Sequence, residues 1–383
     1  MKKNLLYLDG MRALMAINVI LCHFVCVYFP EMYFPEKVGT LNFFATTPLN
    51  VLVNGNVAVV FFFALTGFLV GRSVFIKKNN DISIIDKLKT RYIRLLPLVI
   101  VATLFTFVTM QTGLQYHLSI TSEYVNTSFL HSYCNFEPTL INLISHSIFW
   151  PFVDFSAYIG PFWTIKYELW GYIIVLIYAT CLKKSRSREW IYLIVIVVMA
   201  ICLDSYYCIF IMGLFVADLC FNTNPSFLKN VYQKLFNKKP LVFILFLISL
   251  YFSCCPMYEK SSLYCFWYKL PLLNHILLRG FGIALFLLVT NNSIIIQKIL
   301  SVKPLVALGH ISFETYALHW PIMLSLQAGL FLLFEKQMNY SSAALLPFII
   351  TLPVIYIVSF LTSFLLKQTN KLVKKCCTHT KKA

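Results

Sequence analysis

The feature that most constrains this chain is a series of ten apolar stretches, most of them long enough to cross a lipid bilayer. They lie at about residues 10–29, 55–75, 95–112, 162–182, 189–205, 207–221, 240–255, 274–291, 305–333 and 344–366. A spanning helix needs about 20 mainly apolar residues, and in lipid its backbone must form its own hydrogen bonds. With 59% hydrophobic and 12% charged residues, the chain has too little polar surface for a soluble fold. We therefore predict an all-α, polytopic integral membrane bundle of about ten transmembrane helices.

The distribution of basic residues predicts the orientation of this bundle. If the N-terminus is cytoplasmic, 26 of the 32 Lys and Arg residues fall on the cytoplasmic side and 4 outside, while Lys166 and Arg279 lie within predicted spans. Basic residues concentrate in cytoplasmic loops of membrane proteins, so both termini are predicted to be cytoplasmic. The formal net charge of +17 then reflects topology and anionic lipid headgroups, and nucleic acid is not an expected partner.

Two segments of the chain, a long loop and a C-terminal tail, lie outside the predicted spans. Residues 113–161 form the longest extracytoplasmic loop and are expected to cap the bundle, and residues 371–383 form a basic cytoplasmic tail after the transmembrane domain, residues 1–370. The N-terminal apolar run contains Arg12 and His23 and shows no clear small-x-small cleavage site. It is therefore interpreted as a retained first span and not as a signal peptide.

The cysteines indicate neither a metal centre nor a disulfide framework. Cys134 and Cys265 are both predicted outside, and the sequence leaves open whether they pair. Cys22 and Cys26 flank His23, but no second ligand cluster with zinc spacing follows. We interpret these two cysteines as small apolar residues of a helix, and no metal site is predicted.

Ionisable residues within spans are the first candidates for function, because a charge in lipid is costly. Arg12 and His23 are 11 residues apart, which is about three helical turns and about 16 Å. Both side chains therefore lie on one face of the first span, with Arg12 at the cytoplasmic boundary and His23 about halfway across. Taken singly, each also fits a structural role, as a membrane-surface anchor or as a hydrogen bond between helices.

Four more ionisable residues lie in or beside later spans. Glu168 is about two turns into the fourth span and needs a partner such as Arg, His or a polar substrate, although a structural ion pair is equally open. His319 lies in the ninth span, two residues before Pro321. Arg91 and Arg94 are neighbours on one helical face at the cytoplasmic end of the third span. Two guanidiniums there can bind a phosphate or lipid headgroups.

Five segments, in this order, resemble membrane-bound acyltransferase family 3. They read YLDGMRALMAINVILCHF (residues 7–24), VVFFFALTGFLVGRS (59–73), RYIRLLP (91–97), FWTIKYELWGY (162–172) and LGHISFETYALHWPIM (308–323). The first carries the family's Arg–ten residues–His spacing, and Thr66 in the second stands where Ser is usual. Val60 departs from the family, since many members carry a polar residue there, which puts polar roles of the second span in doubt.

The resemblance implies an enzyme that moves an acyl group, usually acetyl from cytoplasmic acetyl-CoA, onto a sugar hydroxyl of a cell-surface glycan such as O-antigen or capsule. It implies catalytic roles for His23, Glu168 and His319. We expect His23 to be the base, because a neutral imidazole can take a hydroxyl proton. Glu168 is expected to orient His23 or to bind the acceptor, and His319 to share proton transfer or to position the acceptor.

The resemblance also implies which residues bind substrate and which membrane holds the protein, and it leaves several points open. Arg12, Arg91 and Arg94 are expected to bind the phosphates of acyl-CoA, which is a substrate and not a permanently bound cofactor. Trp163 and Tyr316 are the predicted substrate-binding residues, for a glycan or lipid-linked sugar. A bacterial inner membrane is expected. The acyl chain, the acceptor hydroxyl, direct or acyl-enzyme transfer, and the oligomeric state stay open.

Two other classes of protein fit part of the pattern. A secondary transporter or glycan flippase would also place titrating His and Glu residues in a bundle of ten spans. The cytoplasmic arginines aligned with a histidine, and the lack of a visible internal repeat, favour the enzyme. A membrane scaffold without chemistry leaves the ionisable residues of the spans unexplained.

Overall fold

We analysed a computed structural model of the chain. It describes residues 5–76, 84–202, 205–256, 263–270 and 274–379, with side chains as far as residue 368. All the regular secondary structure in these residues is helical, which confirms the predicted all-α fold. Basic residues counted above at positions 2, 3, 77, 78 and 260, and the side chains of the predicted tail, lie outside the described part.

Eleven helices form the body of the bundle. They are α1 (Leu6–Tyr28), α2 (Gly55–Phe75), α3 (Ile84–Gln111), α4 (Trp163–Leu182), α5 (Arg188–Cys202), α6 (Ser205–Phe221), α7 (Phe227–Phe236), α8 (Lys239–Ser253), α9 (His275–Asn292), α10 (Ser312–Ile322, continued by a π-helical turn Met323–Gln327 and by Ala328–Phe334) and α11 (Tyr340–His379). Shorter α-helices are Phe43–Thr46, Thr127–Leu130, Leu140–Ile148, Trp150–Val153, Cys265–Tyr268, Ile294–Leu300 and Lys303–Gly309. Single 3-10 turns are Pro30–Met32, Pro48–Leu52, Tyr116–Ser119 and Gly160–Phe162.

The lengths of these helices give a smaller number of spans than the apolar runs predict. Within the described residues, seven helices are long and apolar enough to cross a membrane, and α7 with α8, bent by 106°, adds an eighth if the pair counts as one span. α6 is a shorter apolar helix, and α5 has 15 residues. The predicted count of about ten is therefore not confirmed.

The third and ninth predicted spans differ most from the helices observed. α3 begins at Ile84 and continues through Pro97, so Arg91 and Arg94 are inside the helix and not at its start. The hydropathy of the sequence predicts a later start for this span, because the basic residues there lower the mean hydropathy without breaking the helix. The ninth run is interrupted: one helix ends at Gly309 and α10 begins at Ser312.

Two glycines let α2 and α6 pack closely against each other. A Cβ atom at Gly67 would lie 2.0 Å from the Phe210 carbonyl oxygen, and one at Gly213 would lie 1.9 Å from that of Ala64. Small residues let membrane helices approach this closely, and dispersion forces then hold them together. Because α2 lines the cavity described below, this contact fixes one of its walls.

The segment predicted to cap the bundle instead runs partly alongside it. Gln111, at the end of α3, donates to the Pro138 carbonyl (2.8 Å), whereas Tyr92, 19 residues earlier in α3, donates to that of Ile148 (2.8 Å). The helix Leu140–Ile148 therefore descends along α3, and its outer side exposes Leu140, Ile141 and Ile144. The sequence did not indicate this, because the apolar run is shorter than a span.

A buried network joins α5 to α6 at the end of the bundle predicted to be cytoplasmic. The Arg188 guanidinium donates to both carboxylate oxygens of Asp218, at 2.9 and 3.1 Å, with the two side chains 1% and 0% exposed. Asn222 and Tyr192 also donate to Asp218. Next in the chain, Glu189 accepts hydrogen bonds from the first turn of α7, so this corner fixes where α7 begins.

The cysteines singled out in the sequence are free thiols, and the span residue Arg279 is held by hydrogen bonds. Cys134 is buried and Cys265 exposed, and both are free thiols. The Sγ atoms of Cys22 and Cys26 are 3.8 Å apart, and the described residues contain no group of three or more His, Cys, Asp or Glu side chains that could hold a metal ion. Arg279 is fully buried and donates to Asn56 and to the Cys255 carbonyl.

Candidate active site

A cavity of about 480 Å³ lies among α1, α2, α3, α4 and the start of α10. Small-molecule sites commonly have volumes of about 300–1,000 Å³ and are mainly apolar, with a few polar groups. Here Val59, Phe62, Leu69 and Phe313 are among the apolar residues of the wall. The polar lining consists of Arg12, Thr66, Ser73, Arg91, Arg94, Thr164, Glu168, Tyr172, His310, Ser312 and Tyr316.

The central ion pair of this cavity joins Arg91 to Glu168. The Arg91 guanidinium donates to the Glu168 carboxylate, which also accepts from the Thr66 hydroxyl at 3.1 Å. The same guanidinium lies over the ring of Tyr172, 5.3 Å from its centroid. The hydrogen bonds of Glu168 are to Arg91 and Thr66 and not to His23, so of its two expected roles the geometry leaves binding of the acceptor. Its partners come from α2 and α3, which hold it on the cavity wall.

The three predicted phosphate-binding arginines all line this cavity, but they differ in charge balance. Arg91 is neutralised by Glu168, and Arg12 lies 3.3 Å from Asp9, one turn earlier in α1. Arg94 forms no ion pair with any residue in the described part of the chain. It is therefore the cation of the set most available to an anionic ligand, which spacing alone did not distinguish.

A histidine pair lies beyond the cavity. His23 Nδ1 and His319 Nε2 are 2.9 Å apart, although α1 and α10 are separated by almost 300 residues in sequence. His319 is fully buried, and His23 packs against Trp320 with 4.7 Å between ring centroids. The structure therefore brings together two of the three predicted catalytic residues and places Glu168 elsewhere.

The hydrogen bonds of this pair assign its protons. His319 Nδ1 lies 2.7 Å from the Tyr316 carbonyl oxygen, which can only accept, so Nδ1 carries a proton. In neutral His319, Nε2 is then an acceptor, and His23 Nδ1 must donate to it. In a neutral His23, Nε2 is consequently unprotonated, and no described residue donates a hydrogen bond to it. A free imidazole lone pair of this kind is what a general base requires.

Tyr316 lies between the cavity and the histidine pair. Its hydroxyl is 2.8 Å from that of Thr164 and donates to the Pro161 carbonyl, while its main chain receives the hydrogen bond from His319. His23 and His319 do not line the cavity, whereas Tyr316 does. Tyr316 therefore belongs both to the cavity wall and to the hydrogen bonds of the histidine pair.

Trp163, the other predicted substrate-binding residue, does not line the cavity. Its ring packs against those of Tyr206 and Tyr167, at centroid distances of 5.2 and 5.7 Å. The contributors to the site that were missed in the sequence include Asp9 and Thr164, together with Ser73, Tyr172, His310 and Ser312 of the cavity lining. Asp9 could have been found, because it precedes Arg12 by three residues and (i,i+3) pairs meet on a helix. Thr164 had no such signal, since its partner is 152 residues away.

A polytopic helical bundle with an arginine-lined cavity and a histidine pair beyond it defines a class of membrane protein that gathers ionisable side chains inside the bundle. Comparison with protein families identifies which one: residues 5–367 match the family described as an acyltransferase domain, acyltransferase family 3. The chain therefore belongs to this family and is a membrane acyltransferase. No curated protein matches the chain significantly. No solved structure matches it significantly either.

Proposed function

We propose that this protein transfers an acetyl group, or a closely similar acyl group, from acyl-CoA to a sugar hydroxyl of a cell-surface glycan. The observation that carries the proposal is the hydrogen-bonded pair His23–His319, whose proton arrangement leaves a free lone pair on His23 Nε2. Within an acyltransferase family, that atom is suited to deprotonate an attacking hydroxyl.

The donor substrate is proposed from the charge of the cavity. Coenzyme A carries several phosphates, and guanidinium groups bind phosphate through paired hydrogen bonds. Arg94 supplies an unpaired cation, and Arg12 and Arg91 lie on the same walls. A cavity of about 480 Å³ can accept the acyl-pantetheine arm, which would bring the thioester towards Tyr316 and the histidine pair.

The chemistry conserves atoms and protons without a further reactant. The acceptor hydroxyl attacks the thioester carbonyl carbon while His23 Nε2 takes the hydroxyl proton. The carbon–sulfur bond then breaks, and the departing thiolate takes that proton to leave as the free thiol. His319 holds the His23 ring and its tautomer throughout, because it accepts from Nδ1–H.

The test of this function is transfer of label between purified components. Protein in proteoliposomes receives acetyl-CoA labelled in the acetyl group, together with glycan acceptor, and the glycan is analysed for labelled ester. We expect labelled glycan with the wild type and about 10²- to 10⁴-fold slower labelling with His23→Ala. Movement of glycan across the membrane without label would instead support the flippase alternative and contradict the proposal.

Arg94 provides a separate prediction about the donor. Arg94→Gln should raise the KM for acyl-CoA about tenfold or more, because a hydrogen bond to a charged group contributes about 1.5–3 kcal/mol. The matched control is Arg186→Gln, since Arg186 is exposed and outside the cavity. Initial rates over a range of acyl-CoA concentrations measure the effect. An unchanged KM for Arg94→Gln would return this arginine to contact with lipid headgroups.

A further inference from the structure

Trp320 carries a polar group that the fold does not use. Its side chain is 1% exposed, and its indole Nε1–H finds no hydrogen-bond acceptor in the described part of the chain. Buried polar groups in folded proteins are nearly always hydrogen-bonded, because leaving one unpaired costs stability. An unpaired donor retained at such a position indicates a partner that is bound during function.

The position of this donor is informative. Trp320 follows His319 directly in α10, and its ring centroid lies 4.7 Å from that of His23. On the other side, Tyr133 and Phe129 from the segment between α3 and α4 pack on the indole edge-to-face, at 5.0 and 6.0 Å. The indole is therefore fixed between the proposed base and the segment that covers it, in apolar surroundings.

We infer that Trp320 is a further catalytic residue, whose indole N–H donates to the acyl carbonyl oxygen as that oxygen becomes negatively charged. The inference rests on the proposed function. When a nucleophile attacks the thioester carbon, a carbon–oxygen or carbon–nitrogen bond forms and the carbonyl π electrons move to oxygen. They return when the carbon–sulfur bond breaks. The oxygen needs a donor in both cases, whether the sugar hydroxyl or His23 attacks first.

The short distance that the indole N–H must span and its water-excluded surroundings both favour this assignment. The attacked carbon must lie within bonding distance of the hydroxyl whose proton goes to His23 Nε2, so its oxygen lies within a few ångströms of that ring. An indole packed against the ring can reach the same place. A fixed donor in a water-excluded site stabilises developing charge far more than a donor in water does.

The experiment replaces Trp320 by Phe, which keeps an aromatic ring and removes the N–H. We expect kcat for label transfer to fall about 10²- to 10³-fold, the usual effect of removing one such donor, with the KM for acyl-CoA unchanged. The thermal midpoint in detergent should fall no further than in Trp267→Phe, because both substitutions remove the same ring volume and the N–H lost from Trp320 has no partner among the described residues. A loss of rate out of proportion to this loss of stability separates a catalytic role from a packing role.

Trp267→Phe is the matched control. Its indole N–H donates to the Tyr251 hydroxyl at 3.1 Å, far along the chain from the site, so this variant should lose stability and keep its kcat. A Trp320→Phe enzyme with wild-type kcat would overturn the inference while leaving the proposed function intact. Absence of transfer by the wild type would instead overturn the function itself. A lowered thermal midpoint with proportional loss of rate would assign Trp320 to packing.

Discussion

His23→Ala is expected to reduce acyl transfer about 10²- to 10⁴-fold, the range that a positioned general base contributes. The variant removes the imidazole whose Nε2 is free to accept a proton and leaves the residues that line the cavity unchanged. Label transfer from acyl-CoA to glycan under saturating donor measures kcat. Membrane insertion, checked by detergent extraction and gel filtration, should equal that of the wild type, since α1 keeps all its other buried contacts.

His319→Ala separates the base from the residue that positions it. Without the Nε2 acceptor, His23 Nδ1–H loses its partner and the ring loses its fixed tautomer. We expect a smaller loss of kcat than in His23→Ala and an altered pH profile. In the wild type, kcat should fall as pH is lowered, because a proton on His23 Nε2 fills the lone pair that catalysis needs.

The control for His23→Ala is His275→Ala. His275 lies at the start of α9 and does not contact the site, so this variant should keep the wild-type kcat. If His23→Ala retained that kcat as well, the base would have to be a different residue, and the tautomer argument would lose its functional meaning.

The sequence predicted the helices of the bundle well, because long apolar runs depend on local composition. The second run, residues 55–75, coincides with the helix Gly55–Phe75. The course of Leu140–Ile148 along α3 could not be predicted, since it depends on hydrogen bonds from Tyr92 and Gln111, which lie far away in sequence. Length is thus a reliable guide to spans and a poor guide to short apolar helices.

The candidate site likewise depends partly on local sequence and partly on contacts between distant helices. Spacing placed Arg12 and His23 on one face of α1, yet Arg12 lines the cavity and His23 lies beyond it. The partner of His23 is His319, and that of Glu168 is Arg91; both pairs depend on how distant helices pack. Residue types within spans therefore identified candidates, whereas their pairing required the fold.

Asp218→Ala is expected to lower the free energy of unfolding by about 3–5 kcal/mol, the cost of leaving one member of a buried ion pair alone. Arg188 would remain charged and 1% exposed, still held by the carbonyl oxygens of Ser185 and Asn224, which supply no negative charge. The midpoint of thermal unfolding in detergent measures the loss. Asp218→Asn keeps an acceptor for Arg188 and should be less destabilised than Asp218→Ala.

Asp154→Ala is the control, because Asp154 pairs with Lys166 at 3.2 Å in an exposed setting, where such pairs contribute about 0–1 kcal/mol. Equal unfolding midpoints for Asp154→Ala and Asp218→Ala would contradict the prediction. Asp218 does not line the cavity, so the molecules of Asp218→Ala that remain folded should keep their kcat, whereas those of His23→Ala should lose kcat and keep their stability. Opposite effects of these two substitutions would show that the bundle separates the charges that hold it together from those that act on substrate.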